Sequence, residues 1–287
     1  MKIVVVGHTG FMGKSIFPAL SDIYGDSVVG ISTDDIDLTK NGSDSELASC
    51  MSDDCVVIML AGVKKQLGDS LSSYCSNIAI ATNFVKSLPI ATPSRVIYMS
   101  SASVYGEDIA RSVPIDEKTC PEPRTYYGVA KYTTELLIEK TCTDIATEYV
   151  HLRPPLVYGV HDQTRGYGPT GFLFKVSKNE KIDLWGDGSE LREFIYVEDV
   201  GKIVCRIVEN TYSGVVNLVS GISYSYTDIL DSLEYFTGRS ITIQSTDRTK
   251  EKVDHRYNNS LFSRVIGEYK FSSLKDGIQK MVASTLR

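Results

Sequence analysis

Tyr127 and Lys131 stand four positions apart in the run Thr125-Tyr126-Tyr127-Gly128-Val129-Ala130-Lys131, and Ser101 closes an apolar run upstream. On a helix, residues four apart share a face with Cβ atoms about 5–6 Å apart. An ammonium that close favours a phenolate over a phenol, so the spacing predicts a Tyr127 hydroxyl with its pKa drawn toward neutrality. Such a tyrosine donates or accepts a proton at a substrate oxygen. The Ser101 hydroxyl can hydrogen-bond the same oxygen. Tyr126 has Ala130 as its fourth neighbour, which makes Tyr127 the candidate acid.

A second constellation lies at the amino terminus, where Gly7-His8-Thr9-Gly10-Phe11-Met12-Gly13 directly follows Ile3-Val4-Val5-Val6. The β-branched run reads as a strand buried on both faces. Glycines at spacing three and three permit a tight turn and a close approach to a pyrophosphate. The next helix offers unpaired N–H groups and its positive dipole end. Pro18 is expected to interrupt and bend that helix.

These groups need a scaffold. Strands are predicted at 2–6, 27–32, 55–61, 95–100, 147–152 and 215–219. Helices are predicted at 11–22, 43–51, 74–87, 126–142, 197–209, 225–237 and 272–285. The alternation argues for an α/β fold with βαβ units, a parallel sheet and helices on both faces. Ligands of such sheets sit beyond the carboxyl ends of the strands, near the switch point. Gly7, Ser101 and Leu60-Ala61-Gly62 all follow strands. After residue 155 the texture turns to glycine-rich loops. The expected division is a dinucleotide-binding domain over 1–155 plus 193–217, and a smaller lobe over 156–192 and 218–287.

The chain has 287 residues, ample for a large core, and 42% of them are hydrophobic. A net charge of −6 and the lack of a Lys/Arg cluster beyond Lys64-Lys65 argue against nucleic acid or an anionic membrane as partner. The six cysteines form no CxxC pair and lack metal-site spacing. The longest apolar run, Val56 to Val63, is too short to span a bilayer. A cytoplasmic protein with reduced thiols and no bound metal is expected.

With these motifs in view, the chain resembles an extended short-chain dehydrogenase/reductase of the nucleotide-sugar-modifying group over nearly its whole length. Ile97-Tyr98-Met99-Ser100-Ser101-Ala102-Ser103-Val104-Tyr105-Gly106 is similar to the family's serine strand, and Tyr127 with Lys131 to its YxxxK pair. Leu152-Arg153-Pro154-Pro155-Leu156-Val157-Tyr158-Gly159 resembles the segment between lobes. Gly186-Asp187-Gly188-Ser189-Glu190-Leu191-Arg192-Glu193-Phe194-Ile195-Tyr196-Val197 resembles the family's GDGxxxRDFIYV. The resemblance implies a Rossmann-type doubly wound sheet and a smaller C-terminal substrate-binding lobe. It implies catalytic Ser101, Tyr127 and Lys131, a nucleotide-diphosphate sugar as substrate, and a homodimer. Substrate contacts would come from Ser103, Arg192 and, in a degenerate stretch, Arg248. Cofactor contacts would come from Gly7, Thr9, Gly10, Phe11, Met12, Gly13, Asp37, Leu38, Leu60, Ala61, Gly62, Lys64, Asn77 and Pro154, as well as Tyr127 and Lys131. Leu60-Ala61-Gly62-Val63-Lys64 is similar to the matching loop of UDP-galactose 4-epimerases.

Cofactor choice turns on Ser32 and Thr33. NAD-preferring relatives carry an Asp where Ser32 stands, with Asp34 and Asp35 slightly beyond. Ser32 and Thr33 could donate to a 2′-phosphate, which favours NADP(H) over NAD(H). Relatives that dehydrate a 4-keto sugar carry an Asp-Glu pair after the hydroxyl residue, and Ala102 and Ser103 stand there. Relatives that epimerise at C3 and C5 place a cysteine there. Two outcomes remain: net reduction of a 4-keto sugar, which the trimmed second lobe favours, and 4-epimerisation. A sensor that binds dinucleotide without chemistry is the remote alternative. His161 and Trp185 read as structural, Tyr105 and Tyr158 as packing or pocket wall. Arg165-Gly166-Tyr167-Gly168-Pro169 reads as a loop able to close over substrate.

Overall fold

The computed structural model describes residues 1–163, 166–248 and 251–286. In chain order its elements are β1 (Ile3–Val6), α1 (Gly13–Tyr24), β2 (Val28–Ile31), α2 (Ser43–Ser49), β3 (Val56–Met59), α3 (Leu71–Ala91), β4 (Arg95–Met99), α4 (Tyr126–Asp144) and β5 (Glu148–Arg153). There follow β6 (Leu156–Tyr158), α5 (Pro169–Ser177), β7 (Ile182–Trp185), β8 (Leu191–Arg192), β9 (Phe194–Tyr196), α6 (Val197–Val208) and β10 (Gly214–Asn217). The last are β11 (Tyr224–Ser225), α7 (Tyr226–Thr237), β12 (Ile243–Thr246), α8 (Ser260–Ile266) and α9 (Leu274–Thr285).

The chain divides into two compact units. The first holds Met1–Glu107, Glu117–Pro154 and Val200–Leu218. The second holds Asp108–Asp116, Pro155–Asp199 and the chain from Val219 onward. In the first unit six strands form one parallel sheet in the order β10-β5-β4-β3-β1-β2. All four residues of β1 and of β3 are buried, as apolar runs covered on both faces must be. The chain leaves β1 for β2 on one side and returns to β3 on the other, so the switch point lies between β1 and β3. The turns after β1, β3 and β4 therefore open at one edge of the sheet. This is the expected Rossmann-type α/β fold.

The second unit uses short parallel pairs, β6 with β9 and β7 with β12, and the antiparallel pair β8–β11. Its core gathers Tyr158, Phe172, Phe194, Tyr196, Leu230 and Ile278 around α5, α7 and α9.

Two expectations need correction. Helix α1 runs from Gly13 through Pro18 to Tyr24. The proline costs one intrahelical hydrogen bond, and fully buried Ile16 and Leu20 anchor the helix on either side of it. The glycine-rich stretch after residue 155 also contains α5, which starts at Pro169, where proline's fixed φ suits a first turn.

Candidate active site

The turn after β1 is built to face an anion. Gly7 has φ +91°, and a Cβ there would sit 2.9 Å from the Ala61 nitrogen. Glycine thus lets the turn press against the segment after β3. The backbone N–H groups of Phe11 and Met12 meet no acceptor among the described residues, immediately before α1. Unpaired donors at a helix N-terminus fit a dinucleotide pyrophosphate. Thr9 and Gly10 are exposed there, and the Lys64 ammonium lies 4.4 Å over the Phe11 ring.

Asn77 on α3 clamps the segment after β3. Its Oδ1 accepts from the Val63 N–H at 2.7 Å and its Nδ2 donates to the Val63 carbonyl at 3.1 Å. Leu60, Ala61, Gly62 and Lys64 thereby keep a fixed course. At the end of β2, the Ser32 N–H and hydroxyl both donate to Asp35 Oδ2, at 2.8 and 2.7 Å. Those bonds hold the Asp35 carboxyl below its ordinary range. Thr33 is exposed, Asp37 takes the Thr39 hydroxyl at 2.7 Å, and the Leu38 side chain belongs to the core.

Helix α4 carries Tyr127 and Lys131. Thr125 caps it by accepting from the Gly128 N–H at 3.0 Å, and Asp69 accepts from the Tyr127 N–H at 2.9 Å. A Cβ on Gly128 would stand 2.7 Å from the Ser103 carbonyl. Glycine in a helix costs about 1 kcal/mol relative to alanine. Here it lets the first turn of α4 lie against the 101–105 turn, with the Ser101 hydroxyl near enough to the Tyr127 phenol to lower its pKa. The carbonyl of Pro154 takes the Ala102 N–H at 2.8 Å and pins the same turn.

The Tyr127 pKa departs from expectation. Tyr127 is half-buried as a residue, but its hydroxyl end is desolvated and is pushed up to about 12, with the nearby Ser101 hydroxyl opposing the rise. Lys131 Nζ donates to the Met99 carbonyl at 2.8 Å and lies 5.8 Å from the Tyr127 ring centroid. Burial lowers the Lys131 ammonium to about 8. Desolvation outweighs the attraction that the spacing predicts. The phenol keeps its proton at neutral pH, which is the form an acid needs.

From Ser101 a line of side chains runs outward. The Ser101 hydroxyl donates to Ser103 Oγ at 3.1 Å, and Ser103 Oγ donates to Glu107 Oε1 at 2.8 Å. Glu107 Oε2 is paired with Lys65, and both side chains are about one-third exposed. Behind the serines, Glu135, one turn after Lys131 on α4, holds Arg153 of β5 through Nε–Oε1 at 2.9 Å and Nη2–Oε2 at 2.5 Å. Glu135 also accepts from Ser100. Arg153 donates to the Tyr105 hydroxyl at 2.9 Å, which donates to Asn217 at 2.7 Å.

In the second unit Arg192 and Arg248 converge on one carboxylate. Arg192 Nη2 lies 2.5 Å from Glu190 Oε1, and Arg248 Nη1 lies 3.0 Å from Glu190 Oε2. Arg192 also donates to the Val253 carbonyl and, at 2.9 Å, to that of Leu191. Glu193 turns elsewhere, accepting from the N–H groups of Ser220 and, at 3.2 Å, Gly221. Of the glycine loop at 165–169, Arg165 lies outside the described residues, and Tyr167 packs against Phe172 and Tyr226.

Sequence reasoning missed Glu107, Lys65, Glu135 and the shared role of Glu190. A carboxylate one turn after Lys131 was the available signal for Glu135. Nothing in spacing ties Lys65 to Glu107. Among the described residues no cluster of metal-ligating side chains occurs and no helix is long and apolar enough to cross a membrane.

Residues 3–219 match the profile of the NAD dependent epimerase/dehydratase family. A provisionally named UDP-glucose 4-epimerase of Methanocaldococcus jannaschii is 29% identical over 66% of this chain, and the match spans 62% of that protein. A GDP-6-deoxy-D-talose 4-dehydrogenase of Aggregatibacter actinomycetemcomitans is 24% identical over 100% of this chain and 98% of its own length. The crystal structure of a UDP-glucuronic acid 4-epimerase from Bacillus cereus, in complex with UDP-glucuronic acid and NAD, superposes with a TM-score of 0.84. It is 22% identical and covers 99% of this chain and 98% of its own, a likeness of fold.

Proposed function

We propose, for a chain that belongs to the NAD dependent epimerase/dehydratase family, the reaction of a 4-ketoreductase acting on a 6-deoxy-4-keto nucleotide-diphosphate hexose. The observation that carries this reading is the hydroxyl line from Ser101, which acts on the Tyr127 phenol, through Ser103 to Glu107, whose side chain is about one-third exposed. Reduction of a ketone consumes one proton per turnover, so its acid must be recharged from solvent. A 4-epimerase recovers its proton when the hydride returns. One relative that matches from end to end is a 4-dehydrogenase of a 6-deoxy nucleotide sugar, which is the same chemistry run backward, while another full-length relative carries a UDP-glucose epimerase name.

In this mechanism Ser101 hydrogen-bonds the substrate carbonyl and Tyr127 delivers its proton to that oxygen. A nicotinamide held by the Gly7–Gly13 turn would supply the hydride. Lys131 stabilises the tyrosinate left behind, which then regains a proton through Ser101 and Ser103. Ala102 and Ser103 supply no strong acid or base for loss of water at C5 and C6. Arg192 and Arg248 are assigned the substrate's diphosphate, and Gly7–Gly13 the dinucleotide pyrophosphate. At the ribose, the Asp35 carboxylate already takes both donors of Ser32. That carboxylate would repel a 2′-phosphate, so this reading favours NAD(H), where Ser32 and Thr33 in the sequence alone favour NADP(H).

The test incubates the purified protein with GDP-, dTDP-, CDP- and UDP-linked 4-keto-6-deoxyhexoses and either NADH or NADPH. Stoichiometric loss of reduced nicotinamide with a gain of about two mass units in the sugar, the hydrogen count of a ketone reduction, is expected. A second reading, 4-epimerisation, draws on the Lys64 loop and the Methanocaldococcus relative. Interconversion of UDP-glucose and UDP-galactose without net use of nicotinamide would replace the primary reading with it.

A further inference from the structure

Glu190 stands where two guanidiniums meet, and the geometry around it is that of an anion site already filled by the chain itself. The side chains of Glu190, Arg192 and Arg248 are 15%, 15% and 21% exposed, so the cluster is mostly withdrawn from water. Gly186, at φ +62°, packs its backbone against Arg248; a Cβ there would collide with the guanidinium Nε. Arg192 is further fixed by the carbonyls of Leu191 and Val253. The two cations are thus held from several sides, as a built site requires.

One guanidinium of the cluster is incompletely satisfied among the described residues. Arg248 Nη2 is buried and meets no acceptor among the described residues; its anionic neighbour Asp187 Oδ1 lies 4.0 Å away and is mostly exposed. A buried guanidinium nitrogen without an acceptor is costly. An oxygen-rich anion seated beside Glu190 would satisfy it. Two guanidiniums and one carboxylate also leave a net positive charge.

We propose that Glu190 is the internal counter-ion of a diphosphate site made by Arg192 and Arg248, and that a nucleoside diphosphate binds by displacing the Glu190 carboxylate from them. This rests on the nucleotide-sugar reading above. It adds that Glu190 weakens the grip, because the incoming phosphates meet a like charge and must break two existing ion pairs. A like charge a few Å away at a partly shielded surface reduces affinity by about tenfold. Glu190 therefore sets how readily the nucleotide end is released.

The opposing account, in which Glu190 merely orders the two arginines, predicts the reverse sign. The experiment is calorimetric titration of the full chain with UDP, GDP, dTDP and CDP, comparing wild type with Glu190→Gln, Glu190→Ser and Arg248→Ala. Circular dichroism melts identify which variants fold, and the two Glu190 replacements back each other up. The expected result is binding about tenfold tighter in the Glu190 variants, a gain that shrinks at high salt, and weaker binding in Arg248→Ala. Unchanged or weaker binding in the folded Glu190 variants overturns this proposal alone. If no variant binds any of the four while the chain still binds NAD(H), the nucleotide-sugar reading falls and this proposal with it.

Discussion

Glu135–Arg153 in the first unit and Glu190 with Arg192 and Arg248 in the second use the same ions for different ends. The Glu135 and Arg153 side chains are 3% and 4% exposed, and every nitrogen of that guanidinium has a partner within the chain. Nothing is left over for a ligand. The Glu190 cluster is more accessible and, among the described residues, leaves Arg248 Nη2 without an acceptor. A saturated buried pair fixes geometry, here that of α4 beside the serine turn. An unsaturated, partly open cluster is chemistry held ready for something else. Completeness of the hydrogen-bond set, more than charge, separates the two.

Breaking the saturated pair should have the largest effect. Glu135→Ala leaves Arg153 buried and uncompensated, at a cost of about 3–5 kcal/mol of stability. Urea unfolding measures it, and a loss below about 1 kcal/mol would mean that the pair is already hydrated. Tyr127→Phe removes the group that this pair helps to position. It should lower kcat by about 10²–10⁴-fold while leaving dinucleotide affinity nearly unchanged in a fluorescence titration; near wild-type turnover would move the acid role elsewhere.

Glu193, beside the open cluster, offers a pH test. Burial raises its carboxyl from its ordinary 4.5 to about 7, with the N–H groups of Ser220 and Gly221 opposing the rise. A carboxyl that holds its proton more tightly when folded adds stability below its unfolded pKa and loses it as pH rises. Wild type should therefore lose roughly 3 kcal/mol between about pH 4.5 and 7 from this group. Glu193→Gln should flatten that slope, and an identical profile in both proteins would assign it to another group. The smallest effect is expected at the open cluster itself. Arg192→Ala should raise KM for the nucleotide sugar by about tenfold or somewhat more with kcat little changed, because the proposed role of Arg192 is to grip a part of the substrate that does not react. A fall in kcat alone would place Arg192 near the reacting carbon.

Much of the first unit was legible because its signals are local. The β-branched run Ile3–Val6 reads as a covered strand, and the glycines after it permit a tight turn. The spacing of Tyr127 and Lys131 put both on one face of α4. The second unit was less legible: its strands are two to four residues long, and the glycines around α5 concealed a nine-residue helix.

The sequence by itself determined the alternation of strands and helices in the first unit, the glycine turn after β1 and the shared helical face of Tyr127 and Lys131, because periodicity and spacing are properties of neighbouring residues. Only the tertiary structure decided that Tyr127 rises rather than falls in pKa, that Ser32 is already bound to Asp35, that Lys65 meets Glu107, and that Arg192 and Arg248 share Glu190. Those outcomes depend on desolvation and on partners up to 58 residues apart in the chain. Burial and long-range pairing exist only once the chain has folded.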